Sequence, residues 1–159
     1  MRAGRVAARV VARVAARDAV HAPVRTAVLW LLGSLLAVPQ VNAEPCGAQL
    51  PSAHRLVAVG QGEAAGLSVA FVPDPAPWAV SRHFALRGEL CGAGRLLRVD
   101  ADMPAHRHGM NYRPTLSLQP DGSFVAQGLL LHMPGRWRLR FEVEIDGRRH
   151  WLDQTVDLK

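Results

Sequence analysis

The stretch Trp137-Arg138-Leu139-Arg140-Phe141-Glu142-Val143-Glu144-Ile145-Asp146-Gly147 decides the fold. Its apolar residues, from Trp137 to Ile145, occupy every second position against Arg138, Arg140, Glu142 and Glu144. A period of two sends the two sets to opposite faces of a strand, whereas a helix would wind both round its axis. Asp146-Gly147 suits a two-residue hairpin turn. The returning run carries Leu152, Val156 and Leu158 on one side, with polar Gln154 interrupting the alternation. An antiparallel pair with one buried face is therefore expected at this end of the chain.

Working back, similar runs recur while helical periodicity does not. Leu67, Val69 and Phe71 alternate ahead of Pro73-Asp74-Pro75-Ala76-Pro77, where three prolines exclude a helix and predict an extended loop. Phe84, Leu86 and Leu90 mark a further strand, expected to bulge at Gly88. Leu97, Val99, Ala101 and Met103 form another. Leu116 and Leu118 are joined to Phe124 and Ala126 through Pro120-Asp121-Gly122, a hairpin turn, and Leu129 to Met133 follows. About seven short strands with regular turn signals predict an all-β, antiparallel β-sandwich of immunoglobulin-like size over residues 44–159.

Residues 1–43 have a different composition. Arg25, the twelve-residue apolar run Ala27 to Val38 and Val41-Asn42-Ala43 supply the basic flank, apolar core and small-residue cleavage site of a secretory signal. The run is short for a membrane helix, which needs about 20 apolar residues. Export to the periplasm with cleavage after Ala43 is expected; anchoring to the inner membrane by an uncleaved N-terminal helix is the alternative. Arg5, Arg9, Arg13 and Arg17, four residues apart, are expected to reflect a long basic flank of that signal, or a start codon assigned too early, rather than a membrane-surface helix. Six arginines and Asp18 precede residue 44, so of 19 basic and 13 acidic residues 13 and 12 remain beyond it. That near-balance lacks the basic excess of a nucleic-acid binder. Cys46 and Cys91 are the only cysteines, and in an oxidising compartment a disulfide is the simplest pairing. A metal-binding or redox-active thiol pair would more usually show close C-x-x-C spacing.

Two segments carry the chemistry. Met103-Pro104-Ala105-His106-Arg107-His108-Gly109-Met110 and His132-Met133-Pro134-Gly135-Arg136-Trp137 hold every methionine except Met1. Thioether sulfur is a soft, neutral donor suited to Cu(I), and imidazole suits copper in both common oxidation states. The candidate ligands are His106, His108, Met110 and Met133, then Met103, with His132 last. His132 and Met133 are consecutive and would point to opposite faces of a regular strand. Trp137 is assigned to the core, and His54, His83 and His150 are given no role.

Enzyme chemistry finds no foothold. Ser68, Ser81, Ser117 and Ser123 lack a G-x-S-x-G setting, and Gly92-Ala93-Gly94 is no dinucleotide fingerprint. Asp100 and Asp102 share a strand face, as a solvent-facing pair.

With its M-P-x-H-x-H-G-M run at Met103 to Met110, then Asp121-Gly122-Ser123-Phe124 and Met133-x-Gly135-x-Trp137, the sequence resembles the YtkA-like family of small exported bacterial domains over roughly residues 65–158. That resemblance implies an immunoglobulin-like sandwich, related in architecture to FixH-like and CopC-like periplasmic proteins, and a link to copper handling or respiratory-oxidase maturation. The expected function is that of a non-enzymatic copper-binding protein, Cu(I) preferred, that buffers the ion or delivers it to a periplasmic or membrane redox-protein partner. A metal-free interaction module, or an accessory subunit of a redox enzyme, is the alternative.

Overall fold

The structure is a computed structural model and describes residues 44–159. The signal segment and the arginine-rich residues before it lie outside the described residues. Among the described residues nine strands form two antiparallel sheets. In the five-stranded sheet the order is β1 (Leu56–Val59), β2 (Ser68–Asp74), β3 (His83–Cys91), β7 (Ser123–Leu130), β6 (Thr115–Leu118). In the four-stranded sheet it is β5 (His108–Gly109), β4 (Arg95–Met103), β8 (Gly135–Ile145), β9 (Arg148–Leu158). Among the described residues the one helical element is a 3₁₀ turn at Gly62–Ala64, and no helix is long and apolar enough to cross a membrane.

The all-β expectation and the antiparallel pairing hold. Trp137, Leu139, Phe141 and Val143 are fully buried along β8, and Asp146 and Gly147 turn the chain so that Ile145 pairs with Arg148. Their partners in the core come from both sheets: Phe71, Leu86, Phe124 and Leu129 from the first, Val99 and Leu152 from the second. Complete burial of each large apolar side chain contributes about 1.5–3 kcal/mol before chain entropy is subtracted. The opposite face of β4, β8 and β9 is a lattice of ion pairs. Arg138 binds Asp102 through two nitrogens, Arg140 reaches Asp153 at 3.3 Å, and Arg98 and Arg149 each reach Glu142 at 3.4 Å. Hydrogen bonding to Asp102 raises the Arg138 pKa, with burial opposing. The Arg98 and Arg140 guanidinium groups lie 5.0 and 4.4 Å from the centre of the Trp151 ring. Asp100 and Asp102 thus share a face, but with arginines rather than bare solvent.

Four local expectations are corrected. Leu97 is only half-buried, because a register shift between Leu96 and Arg98 makes Leu96 the inward residue. The irregularity in β3 falls between Phe84 and Leu86 rather than at Gly88. Gly88 pairs regularly and is small for a different reason: a Cβ there would stand 2.3 Å from the Phe124 ring. Pro73 does not end its strand; it pairs with Leu86, beyond the point where β1 stops at Phe71, so no neighbour needs its missing N–H. The segment predicted at Leu129 to Met133 is instead the end of β7 followed by a loop.

Cys46 and Cys91 are disulfide-bonded. The bond fastens residues 44–55 over the outer side of β2, where Gly47 donates its N–H to Glu89 at 3.0 Å and its carbonyl accepts from Arg55 at 2.7 Å. This cover explains why Ala70, on the face away from the core, is fully buried.

Candidate metal centre

Both methionine-histidine segments lie at one end of the four-stranded sheet, because antiparallel β4 and β8 put the end of one strand beside the start of the other. Pairing of Asp102 with Arg138 fixes that alignment. β4 turns through Pro104 to Arg107 into β5, with the His106 N–H donating to the Met103 carbonyl at 2.9 Å. Met103 and His108 are then direct partners across the turn. Side chains at paired positions lie on the same side of a sheet, so both point toward the core end. Arg107 takes φ 57°, so the segment from His106 to His108 is not extended; the two rings nonetheless lie 5.8 Å apart.

The second segment arrives from the loop between β7 and β8. Ser81 holds it from the other sheet: its N–H donates to the Leu131 carbonyl at 2.8 Å and its hydroxyl to the His132 carbonyl at 3.2 Å. Trp137, fully buried, donates its indole N–H to the Met133 carbonyl at 2.9 Å and closes the turn. This brings the His132 ring to 5.1 Å from His108, and both rings lie edge-on to Trp137, at 5.4 and 5.8 Å. With an imidazole–metal distance of about 2 Å, two rings sharing an ion have centres about 5–6 Å apart, which the His108–His132 pair matches.

The ring nitrogens are not equivalent. His108 Nδ1 lies 3.3 Å from the Gly109 carbonyl, which can only accept, so this contact favours the Nδ1–H tautomer and leaves the Nε2 lone pair for a ligand. His132 Nδ1 is buried and, among the described residues, is the sole buried side-chain nitrogen or oxygen without a hydrogen-bond partner. Leaving such an atom unsatisfied costs about 1–3 kcal/mol. Sequence placed His132 last; its surroundings make it the most constrained imidazole of the three. His106 is exposed at the turn.

The methionines of the two segments differ in burial. Met103 is buried in the core, and Met110 and Met133 are half-buried against it. The Met103 methyl lies where a Cβ on Gly135 would stand, at 2.6 Å, and Gly135 has φ +119°. Gly135→Ala is therefore expected to cost about 1–3 kcal/mol from backbone strain, read as a lower denaturation midpoint. Among the described residues no three His, Cys, Asp or Glu side chains form a chelate. The three imidazoles form two neighbouring pairs that share His108, at 5.8 and 5.1 Å.

Sequence reasoning also missed the second layer. Trp137 was expected only in the core, and Ser81 had no assigned part beyond failing as a nucleophile. His83, given no role, packs against Tyr112 with ring centres 5.6 Å apart, bracing the chain after Met110 against β3. No signal in the sequence links these pairs, which meet only through sheet order. No family model, curated protein or solved structure matches this chain.

Proposed function

We propose that residues 44–159 form an exported, YtkA-like domain of immunoglobulin type that binds one copper ion, preferentially Cu(I), and buffers it or passes it to a redox protein. The observation that carries this reading is His132 Nδ1: a buried ring nitrogen with no hydrogen-bond partner, in a ring 5.1 Å from His108. Metal coordination would use the lone pair that burial leaves without a partner. His108 and His132 supply nitrogen, and Met103, Met110 and Met133 are the sulfur candidates. Thioethers and neutral imidazoles carry no charge to neutralise Cu(II), which favours the softer, singly charged ion. The exposed His106 stands at the entrance and hands the ion in or out by ligand exchange.

Anaerobic competition against a chromogenic Cu(I) chelator tests this. His108→Ala and His132→Ala are each expected to weaken binding about tenfold or more, equivalent to about 1.4 kcal/mol. His106→Ala is expected to change affinity less and transfer rate more. Wild-type protein that takes no copper from the chelator, or an unchanged affinity in the His108→Ala/His132→Ala double variant, would remove the site.

A further inference from the structure

Around the candidate site the surface charge is one-sided. Arg107 lies in the turn between His106 and His108, Arg82 follows the Ser81 that holds the His132 carbonyl, and Arg113 follows the Tyr112 packed on His83. All three are exposed, and among the described residues none has a carboxylate partner. The nearby carboxylates are taken, and Asp100, which lines a groove with Arg113, lies 3.8 Å from Arg98. Asp102 is bound by Arg138 and Arg140, Asp157 by Arg136, and Asp74 by Arg87. The rest of the described chain carries 10 basic and 12 acidic residues, so these three, each adjacent in the chain to a residue of the candidate site or its supports, form a local excess rather than part of a uniformly basic surface.

We propose that this rim is the docking surface for an acidic protein that exchanges copper with the site. The proposal rests on the copper reading given above and adds the chemistry of the partner: carboxylates around its own copper-receiving ligands. Three unpaired guanidinium groups on different loops offer fork-shaped donors to such carboxylates and steer the two sites mouth to mouth. A partner with a basic face would be repelled from the same approach.

Two synthetic copper-acceptor peptides test it, sharing one Met/His motif and flanked either by Asp and Glu or by Lys. With the copper-loaded protein, copper transfer to the acidic peptide is expected to be about tenfold or more faster at low ionic strength. The gap should close near 1 M salt, where the screening length falls to about 3 Å. Arg82→Glu/Arg113→Glu, which alters no proposed ligand, is expected to leave chelator-measured copper affinity unchanged and to abolish or invert the preference. Equal rates for both peptides, or a preference that survives the reversal, overturn the proposal. So does adsorption to phosphatidylglycerol vesicles without peptide discrimination, which would assign the rim to a lipid surface. Anisotropy of labelled metal-free peptides separates the two ideas. Preference for the acidic peptide in a protein that binds no copper retains the docking face and removes the metal site, whereas copper binding without peptide preference does the reverse.

Discussion

Trp137→Ala is expected to lower the free energy of unfolding by about 3–5 kcal/mol, the range for removing a large aromatic from a packed interior. Small domains are stable by only about 5–15 kcal/mol, so the variant stands near the edge of folding at room temperature. The reason is local and double. Trp137 is fully buried, and its N–H holds the Met133 carbonyl, so truncation opens a void and releases the turn that presents His132 and Met133. Trp137→Phe separates the two effects: most of the ring stays, the hydrogen bond goes, and a loss of about 1–2 kcal/mol is expected. Urea denaturation monitored by circular dichroism measures both. A cost below 1 kcal/mol for the alanine variant would contradict the packing described for β8.

Loss of the disulfide is the second large effect. Closing a loop with a sequence separation of 45 contributes about 4 kcal/mol by the chain-entropy relation. Cys46→Ala/Cys91→Ala, which leaves no lone thiol, should lower Tm by on the order of 15 °C for a domain of this size. Residues 44–55 lose their tether in that variant, and limited proteolysis should cut there first while β8 and β9 stay protected. Under the function proposed above, affinity for copper should be unaffected, in contrast to Trp137→Ala. A drop in affinity on removing the cysteines would mean that the ends of the sheets communicate, against the geometry described.

Strand content and several hairpins were legible because alternation is a local property. Trp137, Leu139, Phe141 and Val143 share one face wherever β8 is placed, and Asp146-Gly147 turns the chain by its own backbone preferences. Sheet order was not legible, since nothing local tells β3 to pair with β7. Bulges were misplaced for the same reason: the shift at Leu96 exists only relative to the facing strand β8. β5 went unnoticed because two residues carry no pattern, and β1 because, unlike the equally short β6, no hairpin turn signal sits beside it. Both methionine-histidine segments were visible as a concentration of donor types, but the surroundings of each side chain were not. His132 gains its weight from the burial of one ring atom, which requires Ser81, His108 and Trp137 from three other parts of the chain.

β3 runs from His83, paired with Leu130 beside the imidazole cluster, to Cys91 at its far end. Eight steps at about 3.3 Å put some 26 Å between that cluster and the sulfur bridge. Cysteine sulfur therefore stays out of reach of any ion held among the imidazoles and thioethers. Oxidative closure of the chain and the chemistry of the imidazole end are thereby insulated from each other: sulfur can lock the fold at one pole without placing a thiol at the other.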